Sequence, residues 1–167
     1  MKKRRILLIF AIIVVLLFTY VITRKPSGPI SSVEITQEAT SSAEVTRVTH
    51  VVDGDTIEVE GGRRVRYIGI DTPEISKCFG DVSKDKNISL VDGKTVRLVS
   101  DISDKDTYGR LLRYVYVGDV FVNDTLVRQG FAVTEPVKPD ILFAPQLYAA
   151  QTEAKQTKRG LWEVCKQ

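Results

Sequence analysis

The chain contains few side chains that bind soft metals. Its 167 residues include one histidine, His50, and two cysteines, Cys78 and Cys165. Two thiols without neighbouring histidines make a poor zinc site, because structural zinc is usually held by about four Cys or His ligands. The cysteines form a single disulfide if the domain lies in an oxidising compartment, or otherwise remain two free thiols.

Net positive charge is lacking in most of the chain. Residues 1–25 carry six basic side chains and no acidic one. The remainder carries 18 basic and 21 acidic side chains, which is a net charge near −3. Overall charge therefore does not favour binding of a polyanion by this part of the chain. Any phosphate recognition there has to depend on individually placed arginines.

Long apolar runs are confined to the N-terminus. Residues 6–22 form a 17-residue stretch interrupted only by Thr19 and Tyr20, and a membrane span needs about 20 residues. Four basic residues precede the stretch and two follow it. We therefore expect a membrane anchor at residues 1–23, with the N-terminus in the cytoplasm and the following domain outside the cell membrane. The alternative is a cleaved signal peptide, which would give a secreted protein.

Residues 24–45 lack a sustained apolar period. They are rich in Ser, Thr, Glu and Pro, a composition typical of a flexible linker. From Thr46 onward polar and apolar residues alternate, which predicts a folded domain over residues 46–167.

The domain has the element order of a small barrel. Gly61 and Gly62 separate the second and third of three alternating segments, which predicts an antiparallel meander. A helix ending near Gly93, two more strands, and two helices ending near Gly130 and Gly160 follow. This order predicts an α+β fold with a five-stranded, OB-fold-like β-barrel and three helices. The predicted strands are residues 46–52, 55–60, 63–70, 94–100 and 109–117, and the predicted helices are residues 80–92, 122–130 and 144–160.

Acidic residues occur at both ends of the predicted β-hairpin. Asp53 and Asp55 flank Gly54 before the second strand, and Asp71 and Glu74 follow the third. Antiparallel pairing brings these ends to the same edge of the sheet, so we expect the carboxylates to converge. Crowded carboxylates repel one another unless a cation neutralises them. The absence of nearby His or Cys favours calcium or magnesium over zinc.

Two arginines accompany these acids. Arg66 precedes Asp71 by an odd number of residues, so their side chains share a face only if the chain bends, which Gly69 permits. Arg110 lies in the sequence DTYGR. Guanidinium groups bind phosphate through paired hydrogen bonds and stabilise the charge that develops on it during hydrolysis. Each motif alone is more commonly a turn or a surface residue, but their combination favours phosphodiester hydrolysis.

These motifs occur in a recognisable order along the chain. They are DGDT, R-x4-DTPE, YGR, VN-x3-VRQG and an Ala-rich helix that ends in GLW. In this combination the chain resembles the staphylococcal nuclease (thermonuclease) family over about residues 46–163. The resemblance implies an OB-like five-stranded barrel with three helices, and calcium-dependent cleavage of DNA and RNA to products ending in a 3′-phosphate. We further expect a monomer that prefers single-stranded or locally opened nucleic acid.

The resemblance also implies a set of calcium ligands. Asp55 and Asp71 match carboxylates that bind calcium directly, and Thr72 matches a residue that binds it through its backbone carbonyl. Asp53 matches a residue in the outer shell of the ion.

Catalytic roles follow from the same resemblance. Glu74 matches the general base that deprotonates the attacking water, and Arg66 and Arg110 match the pair that binds the phosphate and stabilises its transition state. Tyr108 matches an aromatic residue that positions the nucleotide. Because all three catalytic positions are filled, an enzyme is favoured over a non-catalytic nucleic-acid-binding module. A structural calcium-binding wall protein would explain the acids but would leave both arginines without a role.

Overall fold

The computed structural model describes residues 43–165 of the chain. The expected anchor, residues 1–23, and nearly all of the expected linker lie outside this range. Within residues 43–165, no helix has the length and apolar character needed to cross a membrane.

The described part contains eight strands and four helices. The strands are β1 (Ala43–Val51), β2 (Thr56–Val59), β3 (Arg63–Tyr67), β4 (Gly69–Asp71), β5 (Thr95–Val99), β6 (Leu111–Val117), β7 (Val120–Phe121) and β8 (Val133–Glu135). The helices are α1 (Gly80–Val91), α2 (Val122–Arg128), α3 (Ala144–Gln156) and α4 (Leu161–Val164).

Five of the strands form a closed barrel, which confirms the predicted α+β, OB-fold-like architecture. Their order is β3-β2-β1-β5-β6, and parallel pairing of β3 with β6 closes the sheet. The first three strands form the predicted antiparallel meander through the two-glycine turn. Alternate residues of the strands fill the interior, where Ile57, Val59, Val65 and Leu98 are fully buried. The barrel therefore provides a packed, rigid base for the residues at its rim.

The predicted third strand, residues 63–70, is broken into two strands. The chain bends at Gly69, whose φ of +78° lies in the left-handed region that glycine adopts readily. After the bend, β4 leaves the barrel and pairs with β8 in a separate two-stranded sheet. The break matters for the site because it turns Asp71 back toward the residues of β3.

The first two predicted helices match α1 and α2 closely, whereas the third is shorter than predicted. Helix α3 ends at Gln156, because Lys158 adopts a positive φ and the chain turns before Gly160. The backbone of Gly160 then lies against that of Gly130, and the amide of Leu161 donates to the Gly130 carbonyl at 2.8 Å. A separate short helix, α4, follows this contact.

The two cysteines form a disulfide. Cys78, just before α1, is bonded to Cys165 at the end of the described chain, and 87 positions separate them in sequence. The structure thus selects the disulfide over the pair of free thiols. The bridge ties the C-terminal helices to the loop that follows Glu74.

Candidate active site

Every residue predicted for metal binding or catalysis lines one cleft at the rim of the barrel. The cleft has a volume of about 180 Å³. The residues that line it are Asp53, Asp55, Arg66, Asp71, Thr72, Pro73, Glu74 and Arg110. Residues from β3, β4 and three loops therefore meet at one place, as the sequence predicted.

Asp55 is the most buried carboxylate of the cleft, with only 4% of its surface exposed. Its Oδ2 atom accepts hydrogen bonds from the backbone N–H of Thr72 at 2.7 Å and from the Thr72 hydroxyl at 2.9 Å. Gly54 makes this contact possible, since a Cβ there would lie 2.6 Å from Thr72 Oγ1. The turn that carries Asp53 and Asp55 is thus pressed directly against the segment that follows β4.

Burial is the main influence on the ionisation of Asp55. Together with the negative charge of Asp53, it raises the pKa of this carboxyl, which lies at about 6. The positive charge of Arg66 and the two hydrogen bonds from Thr72 oppose the rise. Additional positive charge close to Asp55 would therefore favour the ionised form of this carboxyl.

Arg66 connects the two acids predicted to bind metal. Its Nε lies 3.2 Å from Asp55 Oδ1, and its NH2 donates to Asp71 Oδ1 at 2.9 Å. Its NH1 donates to the carbonyls of Tyr67 and Ile70, at 2.9 and 2.6 Å. Three of the five guanidinium hydrogens thereby form hydrogen bonds, the Nε contact with Asp55 is an ion pair, and Glu135 Oε2 lies 3.8 Å from NH2. Arg66 is therefore a largely buried arginine whose orientation is fixed by contacts with the protein.

Arg110 is held differently. Its Nε donates to Asp106 Oδ2 at 2.6 Å, while Asp106 Oδ1 accepts the backbone N–H groups of Tyr108 and Arg110, both at 2.9 Å. Although partial burial disfavours its charge, these hydrogen bonds hold the pKa of Asp106 below its usual value. Within residues 43–165, no protein acceptor engages the two terminal nitrogens of Arg110, so they are available to a ligand in the cleft.

Glu74 lines the same cleft and is exposed. Its backbone is fixed although its side chain is solvated. The Glu74 carbonyl accepts from the amide of Lys77 at 2.7 Å and packs against Gly80, where there is no room for a Cβ. The start of α1 therefore sets the position from which this carboxylate faces the cleft.

The donor chemistry of the cleft fits a hard divalent cation. Its possible ligands are carboxylate, hydroxyl and carbonyl oxygens, and no histidine or cysteine lines it. Residues 43–165 nevertheless contain no group of three or more acidic, His or Cys side chains already arranged around one point. Asp55 and Asp71 are instead bridged by Arg66, and the cleft offers two carboxylates plus backbone oxygen rather than a closed cage.

Tyr108 lies outside this cleft. Its ring is 84% exposed and lies in a neighbouring groove, with its centroid 5.5 Å from the guanidinium carbon of Arg110. The predicted substrate-positioning residue therefore lies beside the predicted catalytic arginine but not among the acids.

Sequence analysis missed two residues that organise the site. Asp106 orients Arg110, and the spacing D-x-x-x-R in a turn is a weak signal that could have identified it. Asn87 is fully buried in α1; its amide donates to the Asp53 carbonyl and its Oδ1 accepts from the Tyr67 hydroxyl, both at 3.0 Å. The available sequence signal was a polar residue within a predicted helix that has few apolar positions.

Comparisons with known proteins agree with this geometry. The family model described as "Staphylococcal nuclease homologue" matches residues 64–164. The chain is 32% identical to a thermonuclease of Staphylococcus intermedius, over 95% of both chains. It is 31% identical to a thermonuclease of Staphylococcus hyicus, over 81% of this chain and 84% of that one. It is also 46% identical to an uncharacterized endonuclease of Escherichia coli, over 70% of this chain and 75% of that one. The chain therefore belongs to the staphylococcal nuclease family, and its barrel is a nuclease domain.

Proposed function

We propose that this protein is a calcium-dependent endonuclease that hydrolyses DNA and RNA at the outer face of the cell membrane. The observation that carries the proposal is the shared cleft, which is lined by Arg110 and Glu74 together with the oxygen-bearing residues proposed to bind metal. A phosphodiester in this cleft can contact a cationic clamp and a general base at the same time.

Phosphate binding falls mainly to Arg110. Its two terminal nitrogens match the paired acceptors of a phosphate, while Asp106 fixes the direction of the guanidinium. Arg66 contributes its positive charge and holds Asp55 and Asp71 in place. As the phosphorus becomes five-coordinate, both arginines stabilise the added negative charge.

Glu74 acts as the general base. It accepts a proton from a water molecule, whose oxygen attacks the phosphorus. The bond from phosphorus to the 5′ oxygen breaks, the 5′ oxygen takes up a proton, and the phosphate remains on the 3′ side. The products then end in a 3′-phosphate and a 5′-hydroxyl.

The residues that would hold calcium are those with hard oxygen donors. Asp55 and Asp71 would bind through their carboxylates, Thr72 through its backbone carbonyl, and Asp53 from the outer shell. The ion would supply Lewis-acid neutralisation of the phosphate charge.

The exposed ring of Tyr108 supports a preference for single-stranded or locally opened substrates, because an unpaired base can stack on it. We propose that the protein acts as a monomer, since all residues of the cleft come from one chain.

The test of this function is cleavage of single-stranded DNA and RNA by the purified protein, with calcium and then with a chelator. Cleavage in calcium alone, with phosphate found on the 3′ ends of the products, is the expected result. Equal cleavage in chelator would exclude the metal-dependent mechanism, and 5′-phosphate ends would exclude the assigned direction of bond breaking.

The location outside the membrane depends on residues 1–23. The four basic residues before the apolar stretch favour a cytoplasmic N-terminus. Protease added to intact cells should remove the nuclease domain from full-length protein while cytoplasmic markers survive. Mass spectrometry of the mature protein separates a retained anchor from a cleaved signal peptide, which would release the domain.

A further inference from the structure

A basic groove lies next to the catalytic cleft. It has a volume of about 360 Å³ and is lined by Arg63, Arg64, Lys105, Arg110 and the ring of Tyr108, together with two glycines and a leucine. No acidic residue lines it. Its sign is opposite to that of the chain beyond residue 25, where acids outnumber bases.

The barrel topology brings these cations together. Leu111 of β6 pairs with Val65 of β3 on one side and with Lys105 on the other. Lys105 therefore lies close to Arg64, which immediately precedes Val65, although 41 positions separate them in sequence.

The four cations of the groove are not equally free. Arg63 forms an ion pair with Glu44, with nitrogen to oxygen distances of 2.5 and 3.1 Å, and this pair neutralises much of its charge. Arg110 is shared with the catalytic cleft. Arg64 and Lys105 are exposed, and no acceptor side chain binds either within residues 43–165. Arg64 and Lys105 therefore carry the positive charge of the groove that is neither paired with an acid nor shared with the catalytic cleft.

We propose that this groove binds the nucleic-acid strand beyond the scissile phosphate, with Arg64 and Lys105 contacting backbone phosphates that the catalytic cleft does not reach. This inference rests on the proposed nuclease function. A strand whose scissile phosphate is held by Arg110 passes the exposed ring of Tyr108 and enters the groove, because the two depressions share Arg110. An aromatic platform beside a cationic track is the arrangement by which single strands bind without sequence preference.

The first consequence concerns substrate length. A dinucleotide fills the catalytic cleft but leaves the groove empty, whereas a strand of about 12 nucleotides occupies both. Replacing Arg64 and Lys105 by glutamine should raise the KM for the longer substrate. It should leave kcat unchanged on both substrates and KM unchanged on the dinucleotide, because neither residue touches the reacting atoms.

Binding measured without turnover tests the groove independently of catalysis. We suggest fluorescence anisotropy of a labelled 12-nucleotide single strand in chelator, over a series of salt concentrations. Each lost phosphate contact lowers the slope of log K against log salt by about 0.7 for single strands, so the double variant should lose about 1.4. The same relation gives about 10-fold weaker binding near physiological salt.

A matched control distinguishes binding in the groove from a nonspecific effect of the net charge of the protein. The double variant Arg47→Gln with Lys84→Gln removes the same net charge at positions that line neither the catalytic cleft nor the groove. It should retain nearly the full salt slope.

An unchanged slope and an unchanged KM in the Arg64→Gln, Lys105→Gln variant would overturn the groove assignment. So would equal losses in the variant and its control. If the wild-type protein cleaves nothing, the nuclease proposal fails, and the binding series still decides whether the groove holds a strand.

Discussion

Asp106 orients Arg110 through a 2.6 Å contact between its Oδ2 and the arginine Nε, and no acceptor within residues 43–165 engages either terminal nitrogen of the arginine. The same carboxylate accepts two backbone N–H groups from its own turn. One acid thus fixes both the loop and the guanidinium that the loop carries.

Asp106→Asn should lower kcat while the fold is retained. The amide oxygen can still accept the backbone N–H groups, but the charged partner of Arg110 Nε is lost and the guanidinium becomes misdirected. Such misplacement can reduce turnover by about 100-fold. Asp104→Asn is the matched control, because Asp104 pairs with Arg113 outside the cleft. Equal kcat values in the two variants would contradict a positioning role for Asp106.

The two catalytic arginines should differ in their effect on stability. Arg66→Lys keeps the charge but leaves buried carbonyl and carboxylate acceptors without donors, which should lower the free energy of unfolding by about 1–3 kcal/mol. Arg110→Lys should change stability little but lower turnover, because an ammonium group cannot form the paired contact with phosphate. Urea unfolding beside steady-state kinetics measures both effects, and equal destabilisation by the two variants would argue against these separate roles.

Glu74→Gln should abolish the general base without disturbing the fold. Its side chain is exposed and its position depends on backbone contacts that glutamine keeps. We expect turnover to fall by about 100- to 10,000-fold, with calcium affinity by calorimetry little changed. Glu163→Gln, an exposed position on α4, is the control and should be fully active. A Glu74→Gln enzyme of normal activity would remove Glu74 from the mechanism.

Gly54→Ala should damage the part of the cleft proposed to bind calcium. The added Cβ would lie within 2.6–2.8 Å of three Thr72 atoms, so Thr72 must move away from Asp55. Overpacking of this kind costs about 1–3 kcal/mol. Weaker calcium binding and a lower Tm are expected together. Retention of both values would show that the turn can relax without disturbing Asp55.

Removal of the disulfide should affect stability rather than chemistry. Cys78 and Cys165 close a loop spanning 87 sequence positions, and in the chain-entropy model such a loop contributes about 4–5 kcal/mol. The double variant with serine at both positions should unfold at lower urea concentration, and reducing agent should destabilise only the wild type. Neither cysteine lines the cleft, so activity well below Tm should persist. Its loss there would indicate that the bridge positions the loop after Glu74.

Much of the site could be predicted because its residues lie in short, chemically specific segments. The acids around Gly54 and after β4 indicated a hard-metal site, and the two arginines indicated phosphate. The relation of Arg66 to Asp71 was predicted only conditionally, since their odd spacing places them on opposite faces of a regular strand. The bend at Gly69 satisfied that condition.

Other features depended on contacts between distant segments. Asn87 reaches the Asp53 carbonyl across 34 positions, and no local pattern marks that partner. The groove between Arg64 and Lys105 exists only because β3 and β6 pair in parallel and close the barrel. The early end of α3 likewise accompanies a long-range contact, in which the backbones of Gly130 and Gly160 lie against each other.

By itself the sequence determined the order of the five barrel strands and of the three longer helices, the barrel class and the chemical identity of the residues proposed for catalysis, because alternation, turn glycines and short motifs are local properties of the chain. Only the tertiary structure decided which cations share a surface and that the two cysteines pair. It also decided that protein contacts hold the whole guanidinium of Arg66, whereas the terminal nitrogens of Arg110 have no acceptor within residues 43–165. Those relations depend on long-range strand pairing and on burial, which no segment encodes on its own.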